Sequence, residues 1–173
     1  MGKKKKLRLI LFEACDRNCT GCCNKDWDLP SLEIETDFSQ YDLIMLTGGE
    51  PMTRPNVVIE TAQQIREQTS APIILYTAKS TRPLNLLAML LWVDGITLTL
   101  HDPSDVVSFV QLNGLLQTIG RRVCTKGLFR LNVFKGIDLN GIETYPWKVK
   151  GNLEWIKNCP LPDGEVLRKR SVV

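Results

Sequence analysis

The stretch Leu7-Arg-Leu-Ile-Leu-Phe12 is a short, nearly continuous apolar run, as expected of a strand buried on both faces of a sheet. Comparable runs recur along the chain at intervals of roughly 30 residues. They cover Asp42–Leu46, Pro72–Thr77, Gly95–Leu100 and Leu128–Phe134. Of the five runs, the three that lie before residue 80 are almost wholly apolar, whereas the last two alternate apolar and polar residues.

Helical periodicity fills the gaps between these runs. In Asn56–Gln68, the apolar residues fall at positions i, i+4 and i+7, which form one face of a helix. A leucine-dense segment at 83–92 starts with Pro83, a residue suited to the first turn of a helix. The segment Asp105–Ile119 completes the pattern. Regular alternation of strands and helices predicts an α/β fold with a parallel sheet.

The length of the chain limits how far such a sheet can close. A full (β/α)8 barrel takes about 250 residues, and this chain has 173. We therefore expect an incomplete (β/α) barrel of about five to six parallel strands with outer helices, and a site at the carboxyl ends of its strands. The expected organisation is a basic N-terminal tail at 1–6, a core at 7–137 and a C-terminal extension at 138–173 packed on that core. A short helix around Gly151 to Lys157 is expected in the extension.

Composition describes an ordinary globular protein, with 43% hydrophobic and 24% charged residues. The net charge of +3 comes from a run of four lysines, Lys3 to Lys6; without them, 18 basic side chains face 19 acidic ones. The rest of the chain has nearly equal numbers of positive and negative charges, so it demands no nucleic-acid partner.

The longest apolar runs are far shorter than the roughly 20 residues of a membrane span. The lysines and the apolar run after them are too short for a secretory signal, so we expect a cytoplasmic protein without a membrane partner.

Four cysteines lie together after the first predicted strand, in Cys15-Asp-Arg-Asn-Cys19-Thr-Gly-Cys22-Cys23. Disulfides are disfavoured in a cytoplasmic chain. A structural zinc site needs a fourth ligand, which would have to be Cys23, Cys124 or Cys159. The third interpretation is a [4Fe-4S] cluster with three cysteine ligands and one open iron. Spacing alone does not decide between zinc and the cluster.

A second motif, Thr47-Gly48-Gly49-Glu50-Pro51, follows the second predicted strand. Paired glycines at a strand end let a ligand approach the backbone closely and permit positive φ. Glu50 places an anion beside them, and proline ends the strand. By itself the segment is weak evidence of function, because a plain turn between a strand and a helix has the same residues.

Together, the two motifs resemble the radical S-adenosylmethionine (radical SAM) superfamily. The resemblance spans about residues 7–134 and depends on Cys15, Cys19, Cys22 and the segment Gly48 to Pro51. It implies that the three cysteines hold a [4Fe-4S] cluster whose open iron chelates S-adenosyl-L-methionine. It also implies that the segment Thr47 to Pro51 receives the methionine ammonium. One electron from the reduced cluster then cleaves the sulfonium to methionine and a 5′-deoxyadenosyl radical, which abstracts hydrogen from a substrate.

The chain departs from the family at two positions. The residue before the third cysteine is usually an aromatic that packs on the adenine, and here it is Gly21. Adenine contacts would then come from Trp27 or from elsewhere. Cys23 is an additional thiol; spacing favours Cys22 as the ligand and a small buried side chain for Cys23. Cys124 and Cys159 have no assigned role.

Polar side chains on the last two predicted strands complete the expected site. Alternation puts Thr97, Thr99 and His101 on one face, and Arg130 with Asn132 on one face of the next strand. By the resemblance, these strands contact the ribose and carboxylate of S-adenosyl-L-methionine. Arg130 is the candidate for the carboxylate, and Thr99 and Asn132 are candidates for the ribose hydroxyls. Thr77 ends the third predicted strand and is expected to face the same cavity. His101, the only histidine, is either a general acid/base near the substrate or a cap of the turn before Pro103.

The expected function is a radical SAM enzyme acting on a small molecule, a nucleotide or a modified base, with electrons from a low-potential donor such as flavodoxin or ferredoxin. Basic residues at both ends of the chain leave a nucleic-acid substrate open. One alternative is an activase that installs a glycyl radical on a protein partner, although the glycine-rich segment usual in such activases is missing ahead of Cys15. A second alternative is a non-enzymatic binding module stabilised by an iron-sulfur cluster or zinc.

Overall fold

The structure is a computed structural model and describes residues 5–119 and 127–171. Within these ranges the chain forms eight strands and three α-helices. The strands are β1 (Lys6–Ile10), β2 (Ile34–Glu35), β3 (Leu43–Thr47), β4 (Ile73–Thr77), β5 (Gly95–Leu100), β6 (Leu128–Phe134), β7 (Lys148–Leu153) and β8 (Glu165–Arg170). The helices are α1 (Pro55–Arg66), α2 (Pro83–Ala88) and α3 (Asp105–Ile119).

All eight strands belong to one open sheet in the order β2-β8-β1-β3-β4-β5-β6-β7, and every pairing is parallel. The predicted α/β fold with a parallel sheet is thus confirmed. The five predicted strands are β1 and β3 to β6, and the three predicted helical segments correspond to α1, α2 and α3, of which α1 begins one residue earlier than predicted.

The expected number of strands, five to six, is wrong, because the short strand β2 and the two strands of the C-terminal extension, β7 and β8, join the five that were predicted. The helix expected around Gly151 to Lys157 is also wrong, since β7 runs through Leu153. Strand β7 is an edge strand with almost wholly exposed side chains, so it carries no apolar pattern. Strand β8 lies between β1 and β2, although its sequence is rich in charged residues. Two of these charges are paired: Arg168 forms an ion pair with Glu33, and Arg170 forms one with Glu60.

The core lies between the helices and one face of the sheet. In α1, Val58, Ala62 and Ile65 are fully buried against this face. Alternate strand residues such as Leu9 and Leu46 meet them from the sheet. At about 25 cal/mol per Å² of apolar area removed from water, this layer is the main stabilising contribution to the fold.

The opposite face of the sheet, here called the second face, carries most of the polar side chains of the strands. The register aligns Thr97 with Arg130 and Thr99 with Asn132 on neighbouring strands. Tyr76 lies beside Thr97 on the other side. Polar groups of β4, β5 and β6 are therefore neighbours on one surface.

In the part of the chain that the structure describes, no helix has the length and apolar character needed to cross a membrane.

Candidate functional site

A pocket of about 210 Å³ opens at the carboxyl ends of β3, β4 and β5. The cysteine loop and the glycine-rich segment meet here, although they follow different strands. Of the residues singled out in the sequence, the pocket is lined by Cys15, Cys19, Cys22, Cys23, Trp27, Thr47, Gly48, Gly49, Glu50, Thr77, Thr99 and His101.

Cys15, Cys19 and Cys22 are free thiols at this pocket. Cys15 is exposed as a residue, yet partial burial of its thiol raises its pKa above the usual value. Ligation of a metal would displace that proton.

Arg17 anchors the cysteine loop to the fold. Its guanidinium donates two hydrogen bonds, of 3.0 and 2.9 Å, to the carboxylate of Asp105 at the start of α3. A third, of 2.8 Å, goes to the carbonyl of Ala78 after β4. Asp105 also accepts from the backbone N–H of His101 at 2.9 Å. One carboxylate therefore connects the cysteine loop to the end of β5.

The fourth cysteine of the loop has a different partner. Cys23 forms a disulfide with Cys159 in the C-terminal extension, and their Cα atoms are 5.3 Å apart. Trp27 donates from its indole Nε1 to the carbonyl of Cys159 at 3.0 Å, which holds the same segment in place. This pairing corrects the expectation that Cys23 is a lone buried side chain and that the chain has no disulfide. It leaves Cys22 as the free thiol of the adjacent pair.

The donor set differs from that of a mononuclear metal site. Among the residues that the structure describes, no three Cys, His, Asp or Glu side chains converge closely enough to ligate a single metal ion. An iron-sulfur cubane does not require such convergence, because each thiolate ligates a different iron. Three free thiols around one pocket therefore fit a cluster with three protein ligands.

The glycine-rich segment is bonded directly to the backbone that leads into the cysteine loop. Gly49 donates to the carbonyl of Phe12 at 2.7 Å, and Glu50 donates to that of Ala14 at 3.0 Å. Gly48 has φ of +128°, a conformation that side chains rarely adopt. A Cβ at Gly49 would lie 1.8 Å from the carbonyl oxygen of Ala14. The paired glycines are therefore needed for the two motifs to approach one another.

Glu50 is almost fully buried, with 2% of its surface exposed. Its Oε1 accepts from the backbone N–H of Met52 at 3.0 Å and from the hydroxyl of Thr77. Its Oε2 accepts from the backbone N–H of Ala78 at 2.9 Å. A carboxylate can accept about four hydrogen bonds. One acceptor position on Oε2 is therefore left for a donor in the pocket.

Three aromatic rings, those of His101, Trp155 and Phe134, pack together at the pocket. The imidazole of His101 stacks on the indole of Trp155 with ring centroids 5.0 Å apart, and Phe134 packs against both rings. Burial, followed by the nearby charge of Arg17, lowers the pKa of His101 to about 4. The imidazole is therefore neutral at pH 7. Its Nδ1 is buried and has no hydrogen-bond partner in the described part of the chain.

Trp155 was not singled out in the sequence, because it follows an exposed edge strand in the C-terminal extension. It lies against Gly21, where an added Cβ would be 2.5 Å from the indole Cγ. A tryptophan from the extension thus fills the space beside the residue where an aromatic was expected. Trp27, the sequence-based candidate for this contact, lines the same pocket. Arg8, Arg17, Asn24 and Tyr76 also line it without having been predicted.

Several predicted residues lie elsewhere. Arg130 is outside this pocket and lines a separate cavity with Lys148. Asn132 is within 3.5 Å of the hydroxyl of Thr99. Pro51 is buried at the start of a short 3-10 turn. Cys124 is outside the described residues.

No protein-family model and no curated protein matches this chain.

Proposed function

We propose that this protein is a radical SAM enzyme built on an incomplete (β/α) barrel, and that the pocket at the carboxyl ends of β3 to β5 binds S-adenosyl-L-methionine. The observation that carries the proposal is the meeting of two motifs. Three free cysteines and the segment Thr47 to Glu50 line one pocket. The hydrogen bonds of Gly49 and Glu50 to residues 12 and 14 support it, because they hold these motifs together.

Cys15, Cys19 and Cys22 would hold the [4Fe-4S] cluster. When bound, the reduced cluster supplies one electron to cleave S-adenosyl-L-methionine to methionine and a 5′-deoxyadenosyl radical that takes a hydrogen atom from the substrate. The exposure of Cys15 suits this role, since it keeps the ligand loop accessible to a donor such as flavodoxin or ferredoxin.

The remaining residues of the pocket would bind and orient S-adenosyl-L-methionine. The spare acceptor position of Glu50 suits the methionine ammonium, and the hydroxyl of Thr99 suits a ribose hydroxyl. The stacked rings of His101 and Trp155 offer a flat surface for adenine. Because His101 is neutral at pH 7, it adds no positive charge beside the sulfonium.

Glu50→Gln tests this binding mode. It should leave the cluster spectrum normal, because Glu50 is not a cluster ligand in this proposal. It should weaken the binding of S-adenosyl-L-methionine, because one charge-assisted hydrogen bond is lost. Such a bond contributes roughly 1.5–3 kcal/mol, or about ten- to a hundredfold in affinity. Calorimetric titration of anaerobically reconstituted protein measures the change.

Glu33→Gln is the matched control, since it makes the same chemical change at an exposed carboxylate outside the pocket. Thermal unfolding of both variants checks that each remains folded. Equal affinities of Glu50→Gln and Glu33→Gln would exclude Glu50 from the binding site.

A further inference from the structure

We propose that the cavity around Arg130 and Lys148 binds the phosphate of a nucleotide substrate. This inference rests on the proposed function, since it names the substrate class of the same site. The cavity encloses about 370 Å³ on the second face of the sheet, within the range of small-molecule sites. Its walls include Tyr76, Thr97, Leu128, Arg130, Pro146 and Lys148.

The first supporting observation is an unbalanced pair of positive charges. Arg130 and Lys148 are direct partners in the parallel pairing of β6 with β7, and both are exposed. Neither side chain forms a hydrogen bond or ion pair with any residue that the structure describes. Lys150, the partner of Asn132 in the same pairing, adds a third cation whose side chain has no partner within residues 5–119 and 127–171. Like charges side by side on neighbouring strands are destabilising, so a bound anion would stabilise this arrangement.

Three other cations on the sheet, in contrast, have carboxylate partners. Arg8, on the second face, donates to Glu165 at 2.7 Å. On β8, Arg168 and Arg170 pair with Glu33 and Glu60. The carboxylate of Glu165 is thus already engaged. An anion from outside the protein would balance Arg130 and Lys148.

The chemistry of these side chains favours phosphate. A guanidinium presents a planar fork that matches two phosphate oxygens, and an ammonium adds a compact point charge. The hydroxyls of Tyr76 and Thr97 add polar groups to the wall of the cavity. A phosphate monoester, with its two negative charges, suits this set.

The position of the cavity indicates the rest of the substrate. Tyr76 lines both this cavity and the cofactor pocket. Thr97 lines the cavity and Thr99 lines the pocket; two residues along one strand are about 7 Å apart. In a nucleotide, the sugar lies one ester linkage from the phosphate. A nucleotide anchored at Arg130 and Lys148 would therefore place its sugar toward the site of hydrogen abstraction.

The test is a calorimetric titration of reconstituted protein with the four ribonucleoside 5′-monophosphates, the corresponding nucleosides and inorganic phosphate. At least one monophosphate should bind ten- to a hundredfold more tightly than its nucleoside, and Arg130→Met/Lys148→Met should abolish that difference. The control Arg82→Met/Lys157→Met removes the same charge from exposed residues outside both cavities and should bind as the wild type does.

Three results would overturn the inference: equal binding of nucleotide and nucleoside, binding that survives in Arg130→Met/Lys148→Met, or binding only of a single-stranded oligonucleotide with steep salt dependence. Reductive cleavage of S-adenosyl-L-methionine, measured on the same samples, keeps this inference separate from the proposed function. Cleavage without phosphate-dependent binding would refute the inference alone. Phosphate-dependent binding without cleavage by the wild type would refute the proposed function alone.

Discussion

Replacing Cys15, Cys19 or Cys22 by alanine should abolish assembly of the iron-sulfur cluster and, with it, all cleavage of S-adenosyl-L-methionine. These are the free cysteines that line the pocket, and a cubane with one open iron has no spare protein ligand to lose. Reconstituted wild-type protein should contain about four iron and four sulfide per chain, as a single [4Fe-4S] cluster requires. Iron and sulfide analysis with visible absorbance measures the loss in each variant.

Cys159→Ala provides the control, because Cys159 is paired with Cys23 and does not line the pocket. This variant should keep the cluster while losing the disulfide. If Cys23→Ala lost the cluster and Cys22→Ala kept it, the assigned set of ligands would be wrong. Binding of one zinc per chain, with no iron, would favour a zinc-stabilised module instead.

Gly49→Ala should destabilise the protein strongly. The added Cβ would lie 1.8 Å from the carbonyl oxygen of Ala14, which is backbone and cannot rotate away. Overpacking costs about 1–3 kcal/mol and occasionally more, and we expect a loss of about 3 kcal/mol in the free energy of unfolding. The cysteine loop should also be displaced, because Gly49 and Glu50 bond to residues 12 and 14, which lead into it. Urea unfolding measures the loss of stability.

Gly114→Ala is the matched substitution within α3. Apart from its chain neighbours and the backbone of its own helix, nothing lies within 4 Å of its added Cβ, and alanine is favoured over glycine in a helix by about 1 kcal/mol. This variant should therefore be as stable as the wild type or up to about 1 kcal/mol more stable. Equal stability of Gly49→Ala and Gly114→Ala would contradict the close approach of the two motifs.

The parts of the fold that were predicted are those where burial produces a periodic pattern. Strands β1 and β3 are apolar runs because the core lies against Leu7, Leu9, Ile44 and Leu46. The periodicity of α1 reflects its single buried face. Strands β7 and β8 were missed for the opposite reason. The side chains of β7 are exposed, and the charges of β8 are accommodated by ion pairs that form only in the folded chain.

The candidate site was predictable where its residues are close in sequence. Cys15, Cys19 and Cys22 share one loop, and Gly48 to Glu50 share one turn. Contacts between residues that are far apart in the chain produce no local motif in the sequence. The disulfide joins cysteines 136 residues apart, and Trp155 of the C-terminal extension stacks on His101. Alternation placed Arg130 on the face with Asn132, but only the pairing of β6 with β7 puts it beside Lys148.

Reductive cleavage of S-adenosyl-L-methionine tests the central claim most directly. Anaerobically reconstituted protein is mixed with dithionite and S-adenosyl-L-methionine, and 5′-deoxyadenosine and methionine are quantified by liquid chromatography with mass spectrometry. The proposed function predicts that both products form in equal amounts, that Cys159→Ala retains the reaction and that Cys19→Ala abolishes it. Absence of 5′-deoxyadenosine from wild-type protein carrying a full complement of iron and sulfide would contradict the claim.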